Sequence, residues 1–226
     1  MNNNGDNLSN DFNAAKEIRA EAFRNECKLG SDELKTNFHR ELPREYKLID
    51  GLVEEIILEY KISIPIEDMS KVVNRIGGRV EYINNANHLI NGTIRKEKDS
   101  FVIYVESYKN CQQQNFSIAH DLGHVFIHMG YKIDSKLWSK YKDGEYFAPA
   151  LWDQVNTANK FAYSLLMPRK YYKEYIKSYI ECREISGNPE IYDAHLNIES
   201  IAAHFGVSIS AAHERGKLLG FLKDPF

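Results

Sequence analysis

The apolar positions of the chain fall into two rhythms. Ile49, Leu52, Val53, Ile56, Ile57 and Tyr60 recur at i, i+3, i+4 and i+7, the stripe of a helix with one face on a core. Pro65 opens a second helical stretch, IEDMSKVVNRIGG, since proline suits a first helical turn and Gly77-Gly78 suits its end. RVEYI and FVIYVES (101–107) then change to runs rich in β-branched and aromatic residues, with Asn91-Gly92 marking a turn. They predict two or three antiparallel strands. Helical periodicity returns from Gln112 through Met129 and stops at Gly130, and a looser aromatic segment continues to about Ala150. A helix from near Trp152 ends at Met167-Pro168, because proline disfavours helical backbone before it. RKYYKEYIKSYIEC predicts one more helix, and IESIAAHFGVSISAAHERGKLLGFL two short ones with Gly206-Val207-Ser208 at the turn. The pattern as a whole predicts an α+β fold, mostly helical, with a small antiparallel sheet.

Ahead of this core, residues 1–10 are Asn-rich and polar, and residues 11–45 alternate in charge, with Ala14, Ala15, Ile18, Ala22 and Phe23 near helical spacing. We expect residues 1–45 to form a charged extension, partly disordered or helical, residues 46–180 the main domain, and residues 181–226 a helical segment packed on it. With 43% apolar and 27% charged residues, the 226-residue chain has enough apolar surface for a sizeable core. Its formal charge, 29 − 32 = −3, gives no general basic surface for nucleic acid. No apolar run is long enough to cross a membrane, and MNNNGDNLSNDF lacks the pattern of a secretory signal. Cys27, Cys111 and Cys182 are far apart and odd in number. That argues against a disulfide framework or a Cys-type zinc site and for a reducing, cytoplasmic location.

Chemistry concentrates in His120-Asp121-Leu122-Gly123-His124. Four helical steps turn the chain by about 400° and raise it roughly 6 Å, so the two imidazoles share one face, one turn apart. In that geometry two histidines hold one zinc ion. In the related pattern HExxH, the residue after the first histidine is a glutamate acting as general base. Here it is Asp121, one methylene shorter, which withdraws the carboxylate by about 1–1.5 Å. His128 stands eight residues after His120, about 12 Å along the axis. It is expected to be a half-buried, hydrogen-bonded histidine rather than a ligand.

The surroundings make the sequence recognisable. Asn115-Phe116-Ser117-Ile118-Ala119-His120-Asp121-Leu122-Gly123-His124-Val125-Phe126-Ile127-His128 resembles the helix that carries the zinc-binding motif in the ImmA/IrrE family of bacterial metallopeptidases. Ala158-Asn159-Lys160-Phe161-Ala162-Tyr163-Ser164-Leu165-Leu166-Met167-Pro168 is similar to that family's second conserved helix, and Phe205-Gly206-Val207-Ser208 with Ala212, Arg215 and Leu219-Gly220 to its closing segment. The resemblance covers roughly residues 46–222 and implies a zincin-like fold. It makes residues 46–180 a metallopeptidase-like domain, His120 and His124 zinc ligands, and Asp121 the catalytic residue. It also implies a cytoplasmic regulator, often borne on mobile elements, that cleaves a helix-turn-helix transcriptional repressor.

Two departures bear on activity. The family places a third zinc ligand, a glutamate, shortly before the Ala-Asn pair, and this chain reads Asp153-Gln154-Val155-Asn156-Thr157-Ala158-Asn159. Val155 or Thr157 occupies that place, and neither is an adequate ligand. Asp153 is the nearest carboxylate, two residues from Val155, and Asn159 matches the family's Asn and would orient a ligand imidazole. Catalytic zinc usually has three protein ligands plus water, so weakly bound zinc and weakened or lost catalysis are expected. For a donor on the oxyanion side, Tyr131, Tyr141, Tyr146 and His128 stand unranked. One alternative is a catalytically degenerate protein that sequesters its partner. Another is direct DNA binding through residues 198–220, against which stand five acidic residues and three basic ones over residues 190–226.

Overall fold

The structure, a computed structural model, describes residues 42–84, 92–147, 151–186 and 198–222. The helical spacing at 14–23, Cys27 and Asn91 of the expected turn lie outside these residues.

Helix α1 (Arg44–Glu59) buries Ile49, Val53, Ile56 and Ile57, the stripe its periodicity requires. Helix α2 (Met69–Ile76) starts four residues beyond Pro65. The Asp68 side chain accepts from the backbone N–H of Ser70 and caps the helix there, so an Asp cap sets the start rather than the proline. Gly77, with φ of 111°, closes α2 and donates its N–H to the Val73 carbonyl.

Strands β1 (Arg79–Ile83), β2 (Ile94–Glu97), β3 (Ser100–Glu106) and β4 (Tyr146–Phe147) form one sheet in the order β1-β3-β2-β4. The β2–β3 and β2–β4 pairs are antiparallel, as expected, but β1 runs parallel to β3. The sheet is therefore mixed, a correction to the all-antiparallel reading. Strand β4 was also unforeseen, because a two-residue strand carries no alternation. Central β3 buries Phe101, Val102, Ile103 and Val105.

Helix α3 (Cys111–Gly123) begins with a reciprocal cap, in which Asn110 and Gln113 side chains each accept the other's backbone N–H. The Asn115 amide joins α3 to the start of α2 by accepting from Met69 N–H and donating to the Glu67 carbonyl. A single-turn helix, α4 (Ser135–Trp138), leads to β4. Helices α5 (Trp152–Leu166), α6 (Arg169–Ser186), α7 (Ile198–Phe205) and α8 (Ile209–Leu219) complete the α+β fold. Tyr172 of α6 stacks on Phe205 and Phe221 and donates to the Ala212 carbonyl, which fastens the C-terminal helices to the core.

Helices α3 and α5 meet at Gly123. A Cβ there would lie 3.0 Å from Ala158 Cα and 3.1 Å from Phe161 Cβ. Backbone cannot yield as a flexible side chain does, so Gly123→Ala is expected to push the helices apart and cost about 1–3 kcal/mol. Thermal unfolding of the variant measures this, and an unchanged melting temperature would contradict the close approach.

Candidate metal centre

Two helices bring the site together. His120 projects from the last turn of α3 and His124 from the residue directly after it, and the Asn159 side chain of α5 meets His120. Asn159 Oδ1 lies 2.9 Å from His120 Nδ1. With the amide oxygen accepting, His120 carries its proton on Nδ1 and leaves the Nε2 lone pair free. His120 Nε2 and His124 Nε2 face each other at 3.1 Å.

After Gly123 the helix widens to π geometry over His124–His128, with the Met129 N–H reaching the His124 carbonyl at 2.9 Å. Gly130, at φ of 76°, ends it. The wider turn sets His128 Nδ1 3.0 Å from His124 Nδ1. His128 is thus hydrogen-bonded and half-buried, and it reaches a candidate ligand rather than joining it.

Asn159, His120, His124 and His128 form a continuous chain. With His128 Nδ1–H donating to His124 Nδ1, His124 Nε2–H to His120 Nε2, and His120 Nδ1–H to Asn159, every ring nitrogen inside the chain is paired without a charge. Burial pulls His120 and His128 below the ordinary imidazole range. It pulls His124 down to about 3, helped by the neighbouring His120 and His128. All three rings are then neutral near pH 7, the form that binds a metal.

The two Nε2 atoms fit one zinc ion. Ligands about 2.0–2.1 Å from a tetrahedral zinc lie about 3.3 Å apart, close to the 3.1 Å between these nitrogens. The remaining donors do not complete a set of three. Because Asn159 faces His120, the residue one turn earlier on that line of α5 is Val155, about 40° away, whereas Thr157 is turned by about 200°. Helical geometry therefore puts Val155, an apolar residue, nearer than Thr157 to the line of α5 that meets His120. Asp153 lies in the first turn of α5 and is exposed. Among the described residues, no group of three His, Cys, Asp or Glu side chains could hold a metal ion.

Asp121 is buried, and its Oδ1 accepts from Thr93 Oγ1 at 3.1 Å, just ahead of β2. Burial pushes its carboxyl up to about 7, against the lowering effect of the Thr93 hydrogen bond. This has a measurable consequence in the metal-free protein. Between the unfolded value of 3.8 and about 7, the folded state holds more protons than the unfolded one. The Asp121 contribution to stability is therefore full below pH 3.8 and is lost as pH rises through 7. His124 acts in the opposite sense between about 3 and 6.5, where the unfolded chain holds more protons. Comparison with Asp121→Asn isolates the carboxyl. The stability of the wild type relative to that variant should fall as pH rises from about 4 to 7, and a flat difference across the range would contradict the buried acid.

Phe147 of β4 walls the site, its ring 5.1 Å from that of His124 and stacked on His128 at 6.4 Å. The structure also separates the four oxyanion-side candidates. Tyr131 packs edge-on against Phe101, with its hydroxyl toward the Ile76 carbonyl. Tyr146 stacks on Tyr104, on the sheet face opposite to Phe147. Tyr141 donates to the His128 carbonyl at 3.4 Å and packs on Phe147, so Tyr141 and His128 are the two that border the imidazoles. Sequence reasoning passed over Thr93 and Phe147. The turn signal at Gly92 adjoins the first, and no pattern marks the second.

Residues 85–217 match the family model described as the IrrE N-terminal-like domain. No curated protein matches the chain. Among solved structures, a Mycobacterium tuberculosis transcriptional regulator is similar at 15% identity and a TM-score of 0.43, over 82% of this chain and 49% of that one. The chain therefore spans about half the length of that regulator.

Proposed function

We propose, from the premise that this chain belongs to the IrrE N-terminal-like domain family, that it is a cytoplasmic metallopeptidase-fold regulator acting on a helix-turn-helix transcriptional repressor, with a weakened hydrolytic centre. The carrying observation is the hydrogen bond from Asn159 to His120 beside the facing Nε2 atoms of His120 and His124, from which helical geometry puts the apolar Val155 nearest the position of a third ligand. His120 and His124 would hold zinc through Nε2, with low affinity. Bound there, zinc would supply Lewis-acid polarisation of a peptide carbonyl and activation of water.

The chain's own residues limit this chemistry. Asn159 orients His120. Asp121 keeps a proton close to neutral pH and is tied to Thr93, so as a general base it is both short and partly occupied. Phe147 and Val155 offer apolar walls to a peptide. A second reading, sequestration of the repressor without cleavage, draws support from the hydrogen-bonded histidine chain, which is complete without a cation.

Direct DNA binding through α7 and α8 has less support. Of the two Lys and Arg residues on these helices, Arg215 and Lys217, Arg215 is fully buried against Asp50 and cannot reach a phosphate. No helix among the described residues is long and apolar enough to cross a membrane.

Metal analysis after dialysis, paired with incubation against a helix-turn-helix repressor encoded beside the gene, tests the reading. Sub-stoichiometric zinc, lost in His124→Ala, with slow or absent cleavage and tight repressor binding, is the expected result. Full zinc occupancy retained in His124→Ala, or no binding of the repressor, would overturn it.

A further inference from the structure

We propose that Lys96 is a positioning residue for the partner-binding wall of the site, which it holds through the main chain of Tyr141. The inference rests on the reading that this site takes a segment of the repressor, and it applies with or without a metal ion. Strand β2 alternates, with Ile94 and Lys96 buried and Arg95 and Glu97 half-buried on the other face. A lysine therefore stands where the alternation calls for an apolar residue. Only 7% of Lys96 is exposed, and its ammonium meets two carbonyl oxygens and a ring rather than a carboxylate. Nζ donates to the Tyr141 carbonyl at 2.7 Å and to the Trp138 carbonyl at 3.2 Å, and it lies 4.9 Å from the centre of the Trp138 ring. Burying an ammonium is costly unless its donors are used. Here they gather carbonyls three residues apart, at the end of α4, where a helix leaves carbonyls without internal partners.

The chain that follows is tied to the same strand by its backbone. Lys96 N–H donates to the Glu145 carbonyl, Gly144 N–H donates to the Lys96 carbonyl, and Phe147 pairs with Ile94. Residues 144–147 thus hang on β2 through main-chain bonds, whereas Tyr141 is reached from β2 by the Lys96 side chain. Tyr141 in turn meets the site on two sides. Its hydroxyl donates to the His128 carbonyl at 3.4 Å, and its ring packs at 5.9 Å on Phe147, the residue that walls His124. Loss of the ammonium would release the Tyr141 carbonyl and let the ring and hydroxyl drift from these places.

Lys96→Met keeps the length of the side chain and removes its donors, so it tests the assignment in the full chain. Hydrogen exchange read by mass spectrometry should show the amides of residues 138–142 exchanging at least about 10-fold faster, with α1 and α3 unchanged. Binding of the helix-turn-helix repressor encoded beside the gene should weaken by about 10-fold, because the partner must then order a loosened wall. Asp50→Ala, which destabilises the fold away from the site, is the control and should leave the affinity of the folded protein within about 2-fold. If circular dichroism shows Lys96→Met unfolded, Lys96→Gln, which keeps a neutral donor, replaces it in both measurements. Unchanged exchange over residues 138–142, or faster exchange with undiminished binding, would overturn the positioning role alone. Equal weakening in Asp50→Ala would also overturn it, by reducing Lys96 to a stabilising residue. A wild-type protein that does not bind the repressor would overturn the reading of the site together with it.

Discussion

Asp121→Glu combined with Val155→Glu should hydrolyse the repressor at least about a thousand-fold faster than either single variant. The two wild-type residues impair different parts of one unit. A carboxylate displaced by an ångström can lose about 100-fold, and a well-placed general base contributes roughly 10²–10⁴-fold. Glutamate at 121 extends the carboxylate past the point where Thr93 now holds it. Glutamate at 155 lies one turn before Asn159, on the line that faces His120, and supplies the missing third ligand. Val155→Glu alone should tighten zinc with little gain in rate, and Asp121→Glu alone should change neither strongly. Groups that act together do not contribute additively. Zinc affinity and cleavage are measured separately on all four proteins. Tighter zinc in Thr157→Glu than in Val155→Glu would show that the line of α5 facing the site has been misassigned. A wild-type rate that the double variant cannot improve would show that another group already completes the centre.

Asp50→Ala should be the most destabilising single change outside the metal centre. Asp50 on α1 pairs with Arg215 on α8 at 2.9 Å and accepts from Ser164 Oγ of α5 at 2.6 Å. Arg215 also donates from Nε to the Met167 carbonyl. The arginine is fully buried, and burial draws its pKa down against the pull of Asp50. Removing the aspartate leaves an unpaired guanidinium among three helices, a change that typically costs about 3–5 kcal/mol. For a chain of this size the melting temperature should fall by roughly 6–20 °C. Asp50→Leu with Arg215→Met removes both charges and should recover most of that loss. A loss below about 1 kcal/mol in Asp50→Ala would mean that water reaches the pair.

Local patterns carried much of this protein. The stripe Ile49–Tyr60, the apolar run from Phe101, and the break at Met167-Pro168 each act within one element, through periodicity or backbone restriction. They therefore mark α1, β3 and the end of α5 directly in the sequence. The i, i+4 spacing of His120 and His124 likewise makes two imidazoles neighbours wherever a helix forms. The start of α2 was misplaced because an Asp cap competes with proline as a helix signal, and side-chain capping is decided by the turn actually made.

What the sequence by itself determined, then, was the elements, the family resemblance, and the imidazole pair with its short carboxylate. Only the tertiary structure decided the rest. Whether β1 runs parallel or antiparallel to β3 depends on the path of the connecting chain, which strand composition does not encode. Whether Val155 or Thr157 faces the histidines depends on how α5 is rotated against α3, and the close contact at Gly123 with the Asn159–His120 hydrogen bond sets that rotation. The reach of His128 depends on a widened turn that no residue in HVFIH announces. The burial of Arg215, which removes the strongest cation from α8, depends on an aspartate 165 residues earlier in the chain. Each of these is an interaction between distant segments, and its energy exists only once those segments have been brought together.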